Sequence, residues 1–187
     1  MRNILLISAL FTLPVASYAA ATTYTIDPTH TYPHFKIDHL GFSTLQGRFN
    51  STKGKLTIDT AKNTGSVDIT IDATSIDTAL KKRDEHLSSP DFLNVAEFPE
   101  ITYKSTNVVI DGTTAKVEGK LTLMGVSKPV LLNVIKMKCG EHPFNKKQVC
   151  GFDATATIKR SDFGIKYGLP GIGDKMELTL EVEAVKN

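Results

Sequence analysis

The stretch MELTLEVEA, residues 176–184, alternates apolar and polar side chains without a break. Every second position is apolar, and the positions between are Glu or Thr. Side chains of a β-strand point alternately to opposite faces, so this stretch predicts a strand with one buried and one solvated face. Such a division of faces is typical of antiparallel sheets.

The same alternation recurs through most of the chain. It occupies residues 35–39, 67–73, 117–123 and 152–158. Further strand segments are residues 45–49, 55–59, 101–110 and 130–137, and turn signals are found at 62–65, 111–112 and 125–129. Eight or nine strands joined by short turns predict a mainly β protein, an antiparallel barrel or sandwich.

One segment interrupts this pattern. Residues 75–87 lose the β-branched alternation, with Asp77 as a reasonable helix N-cap. Ser89-Pro90 then begins a second short turn. A helical insertion near residues 77–94 is therefore predicted, and function is expected there because loops on a rigid β scaffold usually carry it.

Composition places the chain among ordinary globular domains. It has 187 residues, 41% of them hydrophobic and 22% charged, with a net charge of +2. Length favours one domain. The balanced charge leaves no basic stripe for nucleic acid and no polybasic tract for an anionic membrane surface.

The N-terminus predicts export. Residues 1–20 combine Arg2, an apolar run over residues 4–15 and small residues suited to signal peptidase, with cleavage after Ala19, Ala20 or Ala21. A buried N-terminal helix is the alternative. Residues 21–187 then form a single domain, with no later run long enough for a membrane helix.

Cys139 and Cys150 are the only cysteines in the sequence. In an oxidising compartment they are expected to form a disulfide that clips a hairpin loop. A metal site that adds His142 is the alternative, although it lacks a paired ligand set.

The interior could be filled or hollow. Small residues at inward positions include Gly47, Ala73, Gly119, Ala154 and Ala184. They indicate either close approach of the sheet layers or a lumen, since an eight-stranded barrel can be filled by side chains or hold one small ligand. Alternation alone leaves both possibilities open.

Polar residues near the predicted pocket also have two interpretations. His39 lies on the same predicted strand face as Phe35 and Ile37, which is the apolar face. It is therefore either a core histidine with a polar partner or the polar end of a pocket. Arg83, Asp84 and His86 form either a solvated helix face or part of a pocket mouth. A metal pair of His30 and His34 is disfavoured, because Pro33 interrupts the strand between them.

If the interior is hollow, the protein can be a carrier of an apolar lipid, and two alternative functions remain open. The first is a lipid-modifying hydrolase or isomerase that uses His39 or His86 with Asp84 or Asp91. No nucleophile elbow, metalloprotease helix motif or phosphate loop supports it. The second is a filled β-domain that binds another envelope protein through its outer face.

Several ordered blocks resemble the YceI-like family of periplasmic polyisoprenoid-binding proteins with a lipocalin-like fold. The blocks that carry the resemblance are residues 25–27 with His30, 35–43, 47–49, 75–78, 82–87, 89–93, 98–99, 119–130 and 159–165. The resemblance implies an antiparallel barrel of about eight strands with a hydrophobic tunnel for a polyprenyl lipid or quinone. It also implies a periplasmic, non-catalytic binding protein, often dimeric, with no cofactor beyond the bound lipid.

On this resemblance we expect nine apolar residues to line the tunnel and three polar residues to lie at its mouth. The apolar set is Phe35, Ile37, Phe42, Phe49, Ile71, Leu121, Leu123, Phe152 and Leu180. The polar set is His39, Arg83 and Asp84.

Overall fold

The structure, a computed structural model, describes residues 21–187. The predicted signal peptide over residues 1–20 lies outside the described residues. Within the described part, eleven strands and one α-helix follow each other along the chain. They are β1 (Thr22–Ile26), β2 (Tyr32–His39), β3 (Ser43–Phe49), β4 (Thr52–Asp59), β5 (Thr64–Asp72), β6 (Ile76–Asp77), α1 (Lys81–Leu87), β7 (Glu100–Asp111), β8 (Thr114–Leu123), β9 (Val126–Glu141), β10 (Gln148–Lys159) and β11 (Ile172–Lys186).

The strands form one antiparallel sheet that closes into a barrel. Eight of them, β1, β4, β5, β7, β8, β9, β10 and β11, make a continuous ring, because β1 pairs with both β4 and β11. The long β11 pairs with β1 through residues 184–186 and with β2 through residues 172–181. The β2–β3 hairpin and β6 therefore extend the wall at one end only. The predicted antiparallel barrel of about eight strands is confirmed.

Alternation decides which side chains face inward. In β8, Ala115, Val117, Leu121 and Leu123 are buried, whereas the lysines and glutamate between them are exposed. Two buried clusters result. The larger one lies under α1, and a smaller one packs the opposite end through Ile26, Leu56, Ile58, Cys150 and Ala184. We call these ends the mouth and the base.

Two of the small inward residues make room for aromatic rings. A Cβ atom at Gly47 would lie 2.5 Å from Cζ of Phe35, and one at Gly119 would lie 2.6 Å from Cζ of Tyr103. The Tyr103 hydroxyl is buried within hydrogen-bond distance of the carbonyl oxygens of Val117 and Val130, at 2.9 and 3.0 Å. Burial raises the pKa of this hydroxyl well above its usual value, so it remains a donor. These two glycines therefore pack the wall and do not themselves create a lumen.

The helical insertion is shorter than predicted. The helix α1 begins at Lys81, and Leu80 occupies its N-cap without a side-chain hydrogen bond. The predicted cap, Asp77, instead accepts a hydrogen bond from the Ala79 backbone at 2.9 Å. Ala79 has a positive φ of 63°, which prevents the helix from starting earlier. Hydrogen-bonded turns over residues 88–98 follow α1.

The predicted disulfide between Cys139 and Cys150 is present. The two residues face each other in the β9–β10 ladder, which continues to Glu141 and Gln148. Both sulfurs are engaged in this bond, so the alternative metal site with His142 is wrong.

Removing this disulfide should lower stability. Replacing both Cys139 and Cys150 with Ser frees a hairpin of about ten residues in the unfolded chain, which should cost about 3 kcal/mol in the free energy of unfolding. Chemical denaturation of the double variant beside the oxidised wild type measures this difference. Equal unfolding midpoints would show that the β9–β10 ladder alone fixes the hairpin.

Candidate functional site

An apolar cavity of about 410 Å³ lies inside the barrel and extends to α1, which contributes Arg83, His86 and Leu87 to its wall. Its wall is formed by inward side chains of the strands, together with residues from α1 and from the segment over residues 164–172. Eight of the nine predicted lining residues lie on this wall. They are Phe35, Ile37, Phe49, Ile71, Leu121, Leu123, Phe152 and Leu180. Their contact with a ligand stays a prediction.

Phe42 is the exception and corrects the predicted set. Its side chain is 89% exposed and lies outside the cavity wall. The parity of β2 ends at His39, because Leu40 and Gly41 take positive φ angles of 59° and 72° and turn the chain back into β3. Phe42 therefore projects from the turn toward solvent.

The three predicted polar mouth residues separate into two groups. His39 and Arg83 line the cavity, but Asp84 does not. The Asp84 carboxylate accepts a hydrogen bond from the Thr78 backbone N–H at 2.9 Å and another from its hydroxyl. Asp84 thus ties the start of α1 to the strand before it. Asp84 lies on α1 at the mouth, but it is absent from the cavity wall and its carboxylate is engaged by Thr78; its contact with a ligand stays a prediction.

Arg83 is held on the wall by the same threonine. Its Nε donates to Oγ1 of Thr78 at 2.7 Å, and a terminal guanidinium nitrogen donates to the Thr78 carbonyl. The remaining N–H groups of the guanidinium have no side-chain acceptor among residues 21–187. Arg83 is thereby positioned in advance, with donors left for a polar group at the mouth.

An aromatic cluster also borders the mouth. The ring centroids of His86, Phe92 and Tyr167 lie 5.1 to 5.2 Å apart, and all three residues line the cavity. Nε2 of His86 lies 3.0 Å from Oδ2 of Asp91, which fixes the orientation of the imidazole. The sequence singled out His86 but missed Phe92 and Tyr167, since no spacing rule joins the turn after α1 to the distant segment that holds Tyr167.

Arg160 was missed as well, although it supports the mouth. It is only 2% exposed, and its guanidinium donates to the carbonyl oxygens of Ile165, Tyr167, Ile172 and Gly173 at 2.7 to 3.3 Å. Burial lowers the pKa of the guanidinium, and nearby Asp174 opposes that change. Arg160 therefore acts as a structural brace for the segment that carries Tyr167.

His30 and His34 lie in separate ion pairs, which agrees with rejection of a joint metal site. Nδ1 of His30 lies 3.0 Å from Asp27 and 4.0 Å from Glu183, whereas Nε2 of His34 lies 3.1 Å from Glu181. Burial raises the pKa of Asp27, but hydrogen bonds from His30 and Thr29 outweigh it and lower that pKa to about 2. The bond to Asp27 raises the pKa of His30 above its ordinary value of 6.5.

The pair of Asp27 and His30 should make stability depend on pH. The lowered pKa of Asp27 adds stability above its ordinary value of 3.8, and this is lost as pH falls through about 2. The raised pKa of His30 adds stability below 6.5, and this is lost as pH rises through the folded value. The deficit of Asp27→Asn relative to wild type should therefore be largest between about pH 4 and pH 6.5.

Urea unfolding across the pH range checks this profile, with Asp111→Asn as the control. Asp111 is an exposed carboxylate at the C-terminal end of β7. A deficit of Asp27→Asn that is constant from pH 2 to pH 9 would contradict the linkage.

A closed antiparallel barrel around an apolar cavity with a polar mouth defines the class of small β-barrel proteins that enclose apolar ligands. The family model described as a YceI-like domain matches residues 24–184, so the chain belongs to the YceI-like family. The resemblance seen in the sequence is confirmed.

Several relatives place the match in context. The chain is 43% identical over 183 residues to a UPF0312 protein of Pseudomonas aeruginosa, covering 96% of this chain and 93% of the relative. It is 41% identical over 175 residues to the protein YceI of Escherichia coli O157:H7, covering 91% of each. The fold also matches a polyisoprenoid binding domain from Saccharophagus degradans, with a TM-score of 0.65, 17% identity and coverage of 89% and 99%. None of these three proteins is named for a catalytic activity.

Proposed function

We propose that this protein is a non-catalytic carrier that holds an amphiphilic long-chain isoprenoid, a polyprenyl lipid or a quinone, in the barrel cavity. The observation that carries the proposal is the apolar cavity itself, about 410 Å³ in volume and walled by aliphatic and aromatic side chains. The name of the S. degradans domain with the same fold supports this ligand class. No cofactor is needed for such a role.

The energetics favour recognition of the lipid's hydrocarbon chain over recognition of its head group. Burying the five carbons of one isoprene unit contributes about 4 kcal/mol before ordering costs are subtracted. Two or three units therefore exceed what a few hydrogen bonds at the mouth can add. Affinity should rise with chain length until the cavity is filled.

The mouth offers polar partners for a head group. His39, Arg83 and His86 all line the cavity near its opening. Arg83 provides N–H donors, and the imidazoles can donate or accept. This set suits a hydroxyl, phosphate or quinone carbonyl, and it orients the lipid with its polar end outward.

Neither alternative function matches the side chains as well. Among residues 21–187, four of the five histidines hydrogen-bond to carboxylates, threonine or backbone groups, and the imidazole of His39 makes no side-chain hydrogen bond. None of the five is hydrogen-bonded to a serine that could act as a nucleophile. A filled β-domain that binds only through its outer face does not require the internal cavity. Both alternatives are outcomes of the test below.

We further propose that the chain is exported to the periplasm after removal of its signal peptide. The sequence of residues 1–20 supports export, and the Cys139–Cys150 disulfide suits an oxidising compartment. No helix within residues 21–187 has the length and apolar character needed to cross a membrane. A homodimer is part of the proposal, and sedimentation of the mature protein tests it.

Organic extraction of the purified protein followed by mass spectrometry tests the carrier function. We expect close to one isoprenoid lipid per barrel, and geranylgeraniol should bind more tightly than farnesol to delipidated protein. An extract with no lipid, together with no binding of either alcohol, would contradict the carrier and favour an interaction module. Chemical conversion of a bound lipid by the wild type would favour the enzyme.

A further inference from the structure

Three exposed apolar side chains lie on segments at the mouth end of the barrel: Leu40, Phe42 and Tyr167. We call them the mouth rim. Phe42 is 89% exposed, and about half of Leu40 and Tyr167 is exposed. Large apolar side chains that lie together in solvent commonly mark an interaction surface.

The rim is continuous with the cavity wall. Tyr167 lines the cavity itself, and the Phe42 N–H donates to the carbonyl oxygen of His39, another lining residue, at 3.1 Å. The Leu40 N–H donates to the carbonyl oxygen of Gly171 at 2.9 Å, which joins the β2–β3 turn to the segment that holds Tyr167. The rim residues therefore lie on, or are hydrogen-bonded to, segments that contribute to the cavity wall.

The turn that presents Leu40 and Phe42 is fixed in place. Leu40 has a φ of 59°, an uncommon angle for a residue other than glycine. The Asp38 carboxylate accepts a hydrogen bond from the Gly41 N–H at 3.0 Å and closes the turn. The turn thus holds two large apolar side chains in solvent in a conformation that leucine does not favour.

Unpaired lysines lie in the same segments as the rim or on α1. Lys166 precedes Tyr167, and Lys82 precedes the lining residue Arg83; both are exposed. Among residues 21–187, neither makes an ion pair within 4 Å, whereas Lys81 pairs with Glu85 on the same helix. These two lysines are not a polybasic tract, and Asp38 and Asp162 are exposed in neighbouring positions. Apolar side chains that insert among acyl chains are therefore the main contact, and the ammonium groups of Lys82 and Lys166 can contact lipid phosphates.

We propose that the mouth rim docks on a phospholipid bilayer, so that an isoprenoid chain passes between membrane and barrel without crossing water. This inference rests on the proposed carrier function, which supplies a cargo of very low water solubility. Phe42 and Leu40 insert among the acyl chains, and Lys82 and Lys166 contact phosphates. A bilayer is the partner that offers both chemistries at the place where the cargo resides.

Phe144 provides a matched control for Phe42. It is also 89% exposed, but it lies at the tip of the β9–β10 hairpin. The twelve residues of β10 run from this tip to Arg160 at the mouth, a separation of roughly 40 Å. Phe42→Ser and Phe144→Ser thus remove the same exposed ring from opposite ends of the barrel.

Co-sedimentation of the mature protein with phosphatidylethanolamine–phosphatidylglycerol vesicles tests docking. We expect Phe42→Ser to lower the affinity for vesicles about tenfold, which is the effect of losing one aromatic ring that is buried in the bilayer. Phe144→Ser should bind vesicles as wild type does. Leu40→Asn should also weaken binding and keep the turn, because Asn tolerates a positive φ. Absence of vesicle binding by wild type, or equal losses in Phe42→Ser and Phe144→Ser, would overturn the proposal.

A second measurement separates docking from ligand binding. Farnesol binding in vesicle-free buffer should be the same for wild type and Phe42→Ser, since Phe42 lies outside the cavity wall. If wild type binds vesicles through the rim but no isoprenoid, the carrier function fails and docking stands. If Phe42→Ser loses farnesol binding in buffer, Phe42 acts on the cavity and the docking proposal fails.

Discussion

Replacing Leu121 with Arg should abolish lipid retention. Leu121 is buried on β8 and lines the cavity. A guanidinium at this position places a charge without a partner in the space that the hydrocarbon chain of the lipid would occupy. The lost apolar contact and the cost of desolvating the charge both oppose a bound hydrocarbon. Mass spectrometry of extracted protein should find less than about a tenth of the wild-type lipid. His39→Ala should weaken retention only modestly, because the head group contributes less than the chain.

Two variants separate a blocked cavity from a damaged fold. Leu131→Arg introduces the same group on the exposed outer side of β9, and it should retain lipid as wild type does. Ala154→Phe adds bulk to the cavity wall without charge and should also reduce lipid content. Full lipid content in a folded Leu121→Arg protein would show that the lipid lies elsewhere.

Replacing Arg160 with Ala should cause the largest loss of stability. The guanidinium is the shared donor for four backbone carbonyl oxygens, which would lose their partner in a site that is almost fully buried. A buried polar group left without a partner costs about 1–3 kcal/mol, so we expect at least about 3 kcal/mol in the free energy of unfolding. Chemical denaturation followed by tyrosine fluorescence measures the change.

The control for this variant is Arg48→Ala. Arg48 is partly exposed on β3, where it stacks on Tyr32 and lies 3.9 Å from Asp77. Its loss should cost less than about 1 kcal/mol. Arg160→Lys should resemble Arg160→Ala, because one ammonium cannot reach carbonyls spread around a planar guanidinium. Equal stability of Arg160→Ala and wild type would show that water replaces the guanidinium without loss.

Strand pattern was readable from the sequence because one face of each strand is solvated. The alternation in residues 117–123 reappears as buried and exposed positions in β8, and that in residues 176–184 as half-buried and exposed positions over most of β11. Which strands pair with each other could not be predicted from the sequence. Nothing local to β11 indicates that it pairs with β1 at one end and with β2 at the other, since that follows from closure of the sheet.

Errors arose where the backbone leaves the regular strand or helix. Phe42 was predicted to line the tunnel, but positive φ angles at Leu40 and Gly41 end the strand alternation before it. Asp77 was a reasonable cap by residue type, but the conformation of Ala79 delays the helix. Gly47 and Gly119 left the filled and hollow barrels undecided, because the rings of Phe35 and Tyr103 that occupy their space come from other strands. Arg160 follows the last alternating residues of β10, and its acceptors are divided between an irregular segment (Ile165, Tyr167) and the first two residues of β11, a combination with no recognisable sequence pattern.

The buried cluster of Ile26, Leu56, Ile58, Cys150 and Ala184 lies at the base of the barrel, where the first three also border the cavity. If the proposed lipid cannot pass this cluster, it must enter and leave the barrel through the mouth. The barrel then imposes no direction of its own. Net movement of lipid would follow the difference in lipid concentration between the surfaces that the protein visits.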